Sequence, residues 1–196
     1  MSDNQIFANL VSTVNSIAAL PESEIQFFSS SLDVKEVAKG AHILQAGDVC
    51  DFICFVHRGL LRTYLMVDEQ EMNTEFFQAN TFAGAFTSFL LNTKTSLNIQ
   101  ALEPSTLLYI SRKSLDQLYT RDPRWLALGK HIFEVEFIKK CKRESSLLQE
   151  SARERYLTLL RDFPGIEARV PLFHIASYLG IKPESLSRIR SSPISN

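Results

Sequence analysis

Glu184 and Arg188 stand four residues apart, with Ser185, Ser187 and Arg190 beside them. Polar groups at that spacing share one face of a helix. A carboxylate, a guanidinium and hydroxyls on one short rod are the groups that reach base edges and phosphates in a nucleic-acid groove. The surrounding residues, Val-Pro-Leu-Phe-His-Ile-Ala-Ser-Tyr-Leu-Gly-Ile-Lys-Pro-Glu-Ser-Leu-Ser-Arg-Ile-Arg over 170–190, predict a helix, a tight turn at Gly180 and a second helix opened by Pro183. The apolar residues Ile175, Ala176, Leu179, Ile181, Leu186 and Ile189 can close one small core between the two. That order is a helix-turn-helix, and it points to the major groove of duplex DNA. A merely structural helical hairpin, with Arg188 and Arg190 in solvent, would show the same local pattern.

The chain has 196 residues, 45% of them hydrophobic, and a formal net charge of −1, the balance of an ordinary globule of one large or two small domains. No apolar run approaches the roughly 18 residues of a membrane span, and the Met-Ser-Asp-Asn-Gln start lacks the basic and apolar segments of a secretory signal. A cytoplasmic protein without membrane contact is expected. The near-neutral charge argues against a chain coated in basic residues, but local charge governs DNA binding. Residues 137–161 carry Lys139, Lys140, Lys142, Arg143, Arg153, Arg155 and Arg161 against Glu144, Glu150 and Glu154, and Lys182, Arg188 and Arg190 extend the basic excess toward the C-terminus.

The positioning elements follow from the spacing of apolar residues. Ile6, Phe7, Leu10, Val11, Val14, Ile17 and Ala18 predict an amphipathic helix over 4–20, broken at Pro21, with a second short helix over 23–30. From about 33 to 111, short runs rich in β-branched and aromatic residues alternate with turn residues. The runs are 42–45, 52–57, 60–67, 72–78, 97–102 and 106–110; the turns include Gly47-Asp48, Arg58-Gly59 and Asp68-Glu69. This texture predicts an antiparallel roll, sandwich or barrel. A short helix over 114–119 comes next. Asp122 as N-cap and Pro123 at the first helical position then start a long helix. Its stripe Leu128, Ile132, Val135 and Ile138, widened by Trp125, Phe133, Phe137 and Cys141, suits packing against a second copy of the chain. A break near Ser151 precedes a helix around Glu154–Arg161 that stops at Phe163-Pro164-Gly165.

Helix, roll, long helix and helix-turn-helix in that order resemble the cyclic-AMP receptor / Fnr (Crp/Fnr) family of bacterial transcription regulators, over essentially the whole chain. Two stretches carry the resemblance: Ala176-Ser177-Tyr178-Leu179-Gly180-Ile181-Lys182-Pro183-Glu184-Ser185-Leu186-Ser187-Arg188-Ile189, and Phe82-Ala83-Gly84-Ala85-Phe86 through Thr95-Ser96-Leu97. The resemblance implies an α+β chain with three parts. Residues 1–121 form a cyclic-nucleotide-binding-like β-roll with flanking helices, 122–149 a dimerisation helix, and 150–196 a helix-turn-helix DNA-binding domain. It implies double-stranded DNA and a second copy as partners, RNA polymerase as a further candidate, and no enzymatic activity. Glu184 and Arg188 fall where the family reads bases. An Arg fork donates to guanine O6 and N7, and a Glu accepts from cytosine N4. Ser185 and Ser187 lie alongside for polar contacts, while Lys182 and Arg190 supply sequence-blind attraction to phosphate.

The second stretch departs from the family. Its cyclic-nucleotide binders carry Gly-Glu-Leu and then Arg-Ser or Arg-Thr, the Arg neutralising the cyclic phosphate and the Glu holding the ribose. This chain keeps Gly84 and Ser96 but has Ala85 for the Glu, Phe86 after it, and Thr95 for the Arg. A buried phosphate without its cation costs roughly 3–5 kcal/mol, about two or three orders of magnitude in affinity. Cyclic AMP is therefore not expected as a cofactor. Phe82, Phe86, Phe89, Leu90 and Leu91 favour a closed apolar core there, with an apolar pocket for another small molecule as the alternative. In the C-terminal Ser191-Ser192-Pro193-Ile194-Ser195-Asn196, Pro193 is expected to end the helix, and the β-hairpin wing common in the family is expected to be absent or truncated.

Other chemistry finds little support. Cys50, Cys54 and Cys141 are too few for a four-cysteine cluster, and Cys50 and Cys54 read as buried small hydrophobes on one strand face. His42, His57, His131 and His174 form no local metal motif. A small-molecule-binding or protein-interaction roll with a residual helix-turn-helix is the alternative to a regulator.

Overall fold

Two rules of side-chain spacing build this chain: alternation across strands in the middle, and three-four spacing in the helices at both ends. The computed structural model describes residues 3–191, with side chains from Ile6 onward. Residues 192–196, on which the expected helix stop at Pro193 and the expectation about the wing fall, lie outside the described residues. Helices α1 (Asp3–Ile17) and α2 (Glu22–Ser30) are followed by strands β1 (Asp33–Val37), β2 (His42–Leu44), β3 (Phe52–Arg58), β4 (Leu60–Val67), β5 (Gln70–Gln78) and β6 (Phe82–Ala83). Then come helix α3 (Phe86–Leu91), strands β7 (Asn98–Ala101) and β8 (Ser105–Ser111), and helices α4 (Arg112–Arg121), α5 (Trp125–Gln149), α6 (Ala152–Asp162), α7 (Ile166–Arg169), α8 (Leu172–Leu179) and α9 (Pro183–Ser191). The strands form two antiparallel sheets, β1-β8-β3-β6 and β2-β7-β4-β5. This is the predicted roll, and among the described residues no helix is long and apolar enough to cross a membrane.

One cluster of buried side chains fills the space between the sheets and continues under α1, α2 and the first turns of α5, through Leu10, Phe28, Phe55, Leu61, Phe77, Ile99, Leu107, Trp125 and Leu128. A second cluster is built by Tyr156, Leu159, Ile166, Ile175, Leu179 and Leu186 of α6–α9, and it takes in Leu60, Phe76 and Leu102 of the roll. The sheet β2-β7-β4-β5 is thus covered on both faces. That explains why successive residues Leu60 and Leu61 on β4 are both buried, against the one-face-buried alternation of a solvent-facing sheet.

Helix α5 follows a turn whose first donors Asp122 satisfies. Its carboxylate accepts the Arg124 N–H at 2.9 Å and its carbonyl the Trp125 N–H at 3.0 Å. The regular helix begins two residues after Pro123, within the usual fraying of helix starts. Gly129 lets α4 approach, because a Cβ there would sit 2.1 Å from the Tyr119 hydroxyl. The face that α5 turns to its own subunit is Trp125, Leu128, Gly129, Ile132 and Glu136. This corrects half of the expected seam. Leu128 and Ile132 are 2% and 4% exposed and belong to the chain's own core, whereas Val135 and Ile138 are exposed. The opposite face presents Ala127, His131, Glu134, Ile138, Cys141, Ser145 and Leu148, all exposed and alternately four and three apart, the rhythm of a two-helix seam.

Candidate nucleic-acid interface

Helix α8 ends because Gly180 adopts a left-handed conformation (φ 69°), and the N–H of Ile181 closes the end on the Ala176 carbonyl at 3.0 Å. Pro183 opens α9 with its fixed φ, and the Lys182 carbonyl accepts the N–H groups of Ser185 and Leu186 at 3.0 and 3.2 Å. Ile175, Ala176, Leu179 and Leu186 are buried between the helices, with Ile181 and Ile189 partly buried against them.

The outward face of α9 carries Glu184, Ser187 and Arg188 in the open, with Lys182 exposed just before it and Ser185 half-buried. Glu184 and Arg188 therefore share a solvent face one turn apart. The Arg188 Nη2 lies 3.5 Å from the Ser185 hydroxyl, and the Ser187 hydroxyl donates to the Pro183 carbonyl at 3.2 Å. Arg190 departs from expectation. Its Nε lies 2.7 Å from the Glu167 carboxylate of α7, which also accepts the Tyr156 hydroxyl at 2.8 Å, so much of its charge is answered within the fold.

What aims this helix pair is a polar seam that the sequence reading missed. Arg62 of β4, 2% exposed, donates to Gln100 at 2.6 Å and 2.9 Å, to Asn73 at 3.1 Å and to His174 Nδ1 at 2.8 Å, and it meets the Glu71 carboxylate at 2.6 Å. A guanidinium only donates, so His174 Nδ1 must accept and the ring carries its proton on Nε2. Burial, then the adjacent Arg62 charge, push the His174 pKa down to about 4, with Glu71 opposing. Ser177 of α8 accepts the Asn73 N–H at 2.9 Å and donates to the Glu71 carbonyl at 2.7 Å. The Tyr178 ring lies between Phe76, at 5.0 Å between centroids, and the Arg143 guanidinium, 4.0 Å above it. The available signal was Arg62 itself, a lone cation in the apolar run Leu60-Leu61-Arg62-Thr63-Tyr64-Leu65. Arginine is almost never fully buried without a partner.

The nucleotide-pocket candidates lie in different surroundings. Gly84 and Ala85 are buried, and Phe86 packs edge-on against Phe133 of α5, with 5.9 Å between centroids. Thr95 is buried, but its hydroxyl accepts the Leu97 N–H at 3.0 Å and its backbone pairs with Asp48 and Gly47, while Ser96 is exposed. Phe82 and Phe89 pack into the roll core, whereas Leu90 and Leu91, expected in the apolar filling, face solvent. Cys50 and Cys54 are both free and fully buried, with thiol pKa values raised by burial; Cys50 lies just before β3 rather than on it. His42 Nε2 bonds the Tyr64 hydroxyl at 2.8 Å, and His131 is exposed.

Residues 34–122 match the family model of the cyclic nucleotide-binding domain. No curated protein matches the chain. Among solved structures, the chain is similar to the c-di-GMP-responsive global regulator CLP of Xanthomonas campestris (19% identity, TM-score 0.69, 86% of this chain and 89% of that one). It is also similar to a candidate Crp/Fnr-family transcriptional regulator from Eubacterium rectale (19%, 0.67, 87% and 82%). A third likeness is to the catabolite activator protein of Thermus thermophilus (22%, 0.56, 94% and 84%). These likenesses show the fold, which the chain shares with the solved regulators just named.

Proposed function

From a roll that matches the cyclic nucleotide-binding domain, within a chain that has the fold of the Crp/Fnr regulators, we propose that this protein is a homodimeric DNA-binding transcription regulator whose roll does not take cyclic AMP. The observation that carries this reading is the outward face of α9. Glu184 and Arg188 stand in solvent one turn apart on a helix whose other face is sealed by Leu186. In a major groove Arg188 donates its fork to guanine O6 and N7, and Glu184 accepts from a cytosine amino group. Ser185 and Ser187 flank them, and Lys182 and Arg190 add attraction to phosphate, Arg190 less so because Glu167 already holds it.

The exposed heptad face of α5 is the proposed contact with the second copy, in place of the Leu128–Ile132 edge. Two recognition helices would then face half-sites about one helical turn, roughly 34 Å, apart. The proposed division of labour assigns 1–121 to the roll, 122–149 to the connecting and dimerising helix, and 150–196 to DNA. Against cyclic AMP stand Ala85 and Thr95, which bring no charge to a phosphate, and a Thr95 hydroxyl already engaged by the Leu97 amide.

Electrophoretic retardation on duplexes selected from a random pool tests the function. The native chain is expected to enrich a near-palindrome, with affinity falling as salt rises from 50 to 200 mM. Arg188→Ala is expected to lose about 1–3 kcal/mol at the base it reads while keeping weak sequence-blind binding. Unchanged preference in that variant removes Arg188 from the interface. No retardation at either salt concentration removes the regulator reading and leaves a roll with a residual helix-turn-helix.

A further inference from the structure

A cleft of about 830 Å³ opens between β5, the C-terminal half of α5, α6 and the end of α8. Its size is that of a small-molecule site, and it lies where such sites gather, at the joint between packed units. Six basic side chains line it against three acidic ones. Four of the six are held by the fold. Lys139 and Lys140 lie 3.7 and 2.9 Å from Glu75; Arg143 and Arg155 donate to the carbonyls of Tyr178 and Leu179 at 2.7 and 3.1 Å. The remaining two answer little within the chain. Lys142 is exposed and has no ion pair among the described residues, and Arg161, 73% exposed, meets only its sequence neighbour Asp162 in a described ion pair. The surplus of positive charge exceeds what one carboxylate would neutralise.

We propose that this cleft binds a small phosphorylated anion with two or more charges, Lys142 and Arg161 supplying the cations that the fold engages least. A ligand seated there touches β5 of the roll, the long helix and the first helix after the Glu150–Ser151 break at once. Its binding therefore fixes the angle between roll and helix-turn-helix. This places an effector site outside the roll interior, where Phe82, Ala85 and Phe89 fill the core.

Thermal unfolding of the full chain with inorganic tripolyphosphate, at ionic strength held constant with sodium chloride, tests the site without any DNA. A saturable rise of about 5–10 °C is expected once the probe exceeds its Kd by about 100-fold. Lys142→Glu with Arg161→Glu, both surface changes, should weaken the probe at least tenfold. The milder Lys142→Gln with Arg161→Gln should weaken it in the same direction. Arg188→Ala should leave it unchanged, since α9 lies outside the cleft. A flat response, an equal rise from sodium chloride alone, or full retention in both double variants overturns the proposal.

Discussion

Two buried titratable groups at the joints of this molecule have pKa values displaced in opposite directions. Glu136 of α5 is 5% exposed; one oxygen accepts Lys139 at 2.6 Å and the other meets no donor. Burial, then the neighbouring Glu75 carboxylate, push its pKa up to about 7, as suits an oxygen that carries the proton itself. A raised acid stabilises the fold fully below its unfolded pKa of about 4.5 and loses that contribution as pH rises through about 7. Glu136→Gln is therefore expected to match the native chain near pH 4 and to exceed its stability above pH 7, by on the order of 1–3 kcal/mol, in denaturant titrations at the two pH values. His174 has the reverse sign. Its depressed pKa gives stability above about 6.5 that is lost as pH falls toward about 4. His174→Asn keeps an acceptor for Arg62 and should flatten that acid limb. A limb of unchanged depth in melting curves from pH 7 to 4 would free His174 of this role.

At the scale of elements, helix α5 carries two faces with different duties. Its inner face is consumed by the chain's own core, so the proposed contact between copies falls to the outer stripe around Ile138. Ile138→Asp, at a site 50% exposed in the single chain, is expected to leave each subunit folded and to shift the sedimentation equilibrium to monomer. A variant that stays dimeric at micromolar concentration would place the contact elsewhere. The β4–β5 hairpin makes a second element-scale case. Asp68 and Glu69 both hold positive φ, 48° and 63°, in the two-residue turn that favours Asn-Gly. Glu69→Gly relieves a left-handed side chain costing roughly 1–2 kcal/mol, offset in part by glycine's backbone entropy of roughly 0.5–1 kcal/mol, and is expected to raise Tm with the hairpin intact.

At the scale of the whole molecule, the helix-turn-helix shares its core with the roll. Phe76 of β5 is 2% exposed, packed edge-on with Phe163, 6.1 Å between centroids, and beside Tyr178. A single cooperative unfolding transition is expected for the native chain, since neither unit closes that core alone. Phe76→Ala should cost about 3–5 kcal/mol and separate the transitions of the two units in calorimetry. A lower Tm with the transition still single would mean that other contacts carry the coupling. Such coupling is also the route by which any effector would act, as a shift between docked and released orientations of α9 rather than a change in α9 itself.

Local spacing was enough to set six of the eight described strands, the helix-turn-helix and its outward Glu184–Arg188 face, because alternation, a left-handed glycine and a proline at a helix start act over only a few residues. The same locality made β4 legible over 60–67 while hiding its partners. β1, with four of its five residues exposed, and the two-residue β6 lack an apolar pattern long enough to read. Position in space decided the rest. Whether Leu128 faces its own roll or a second copy depends on which side of α5 the sheet occupies, and periodicity gives a stripe without saying what lies against it. Arg62 and His174 are 112 residues apart, and only the docking of the helices onto the sheet brings them within hydrogen-bonding distance. Burial of that pair is a property of the packed chain, since neither residue has a neighbour in sequence that could answer its charge or its ring nitrogen.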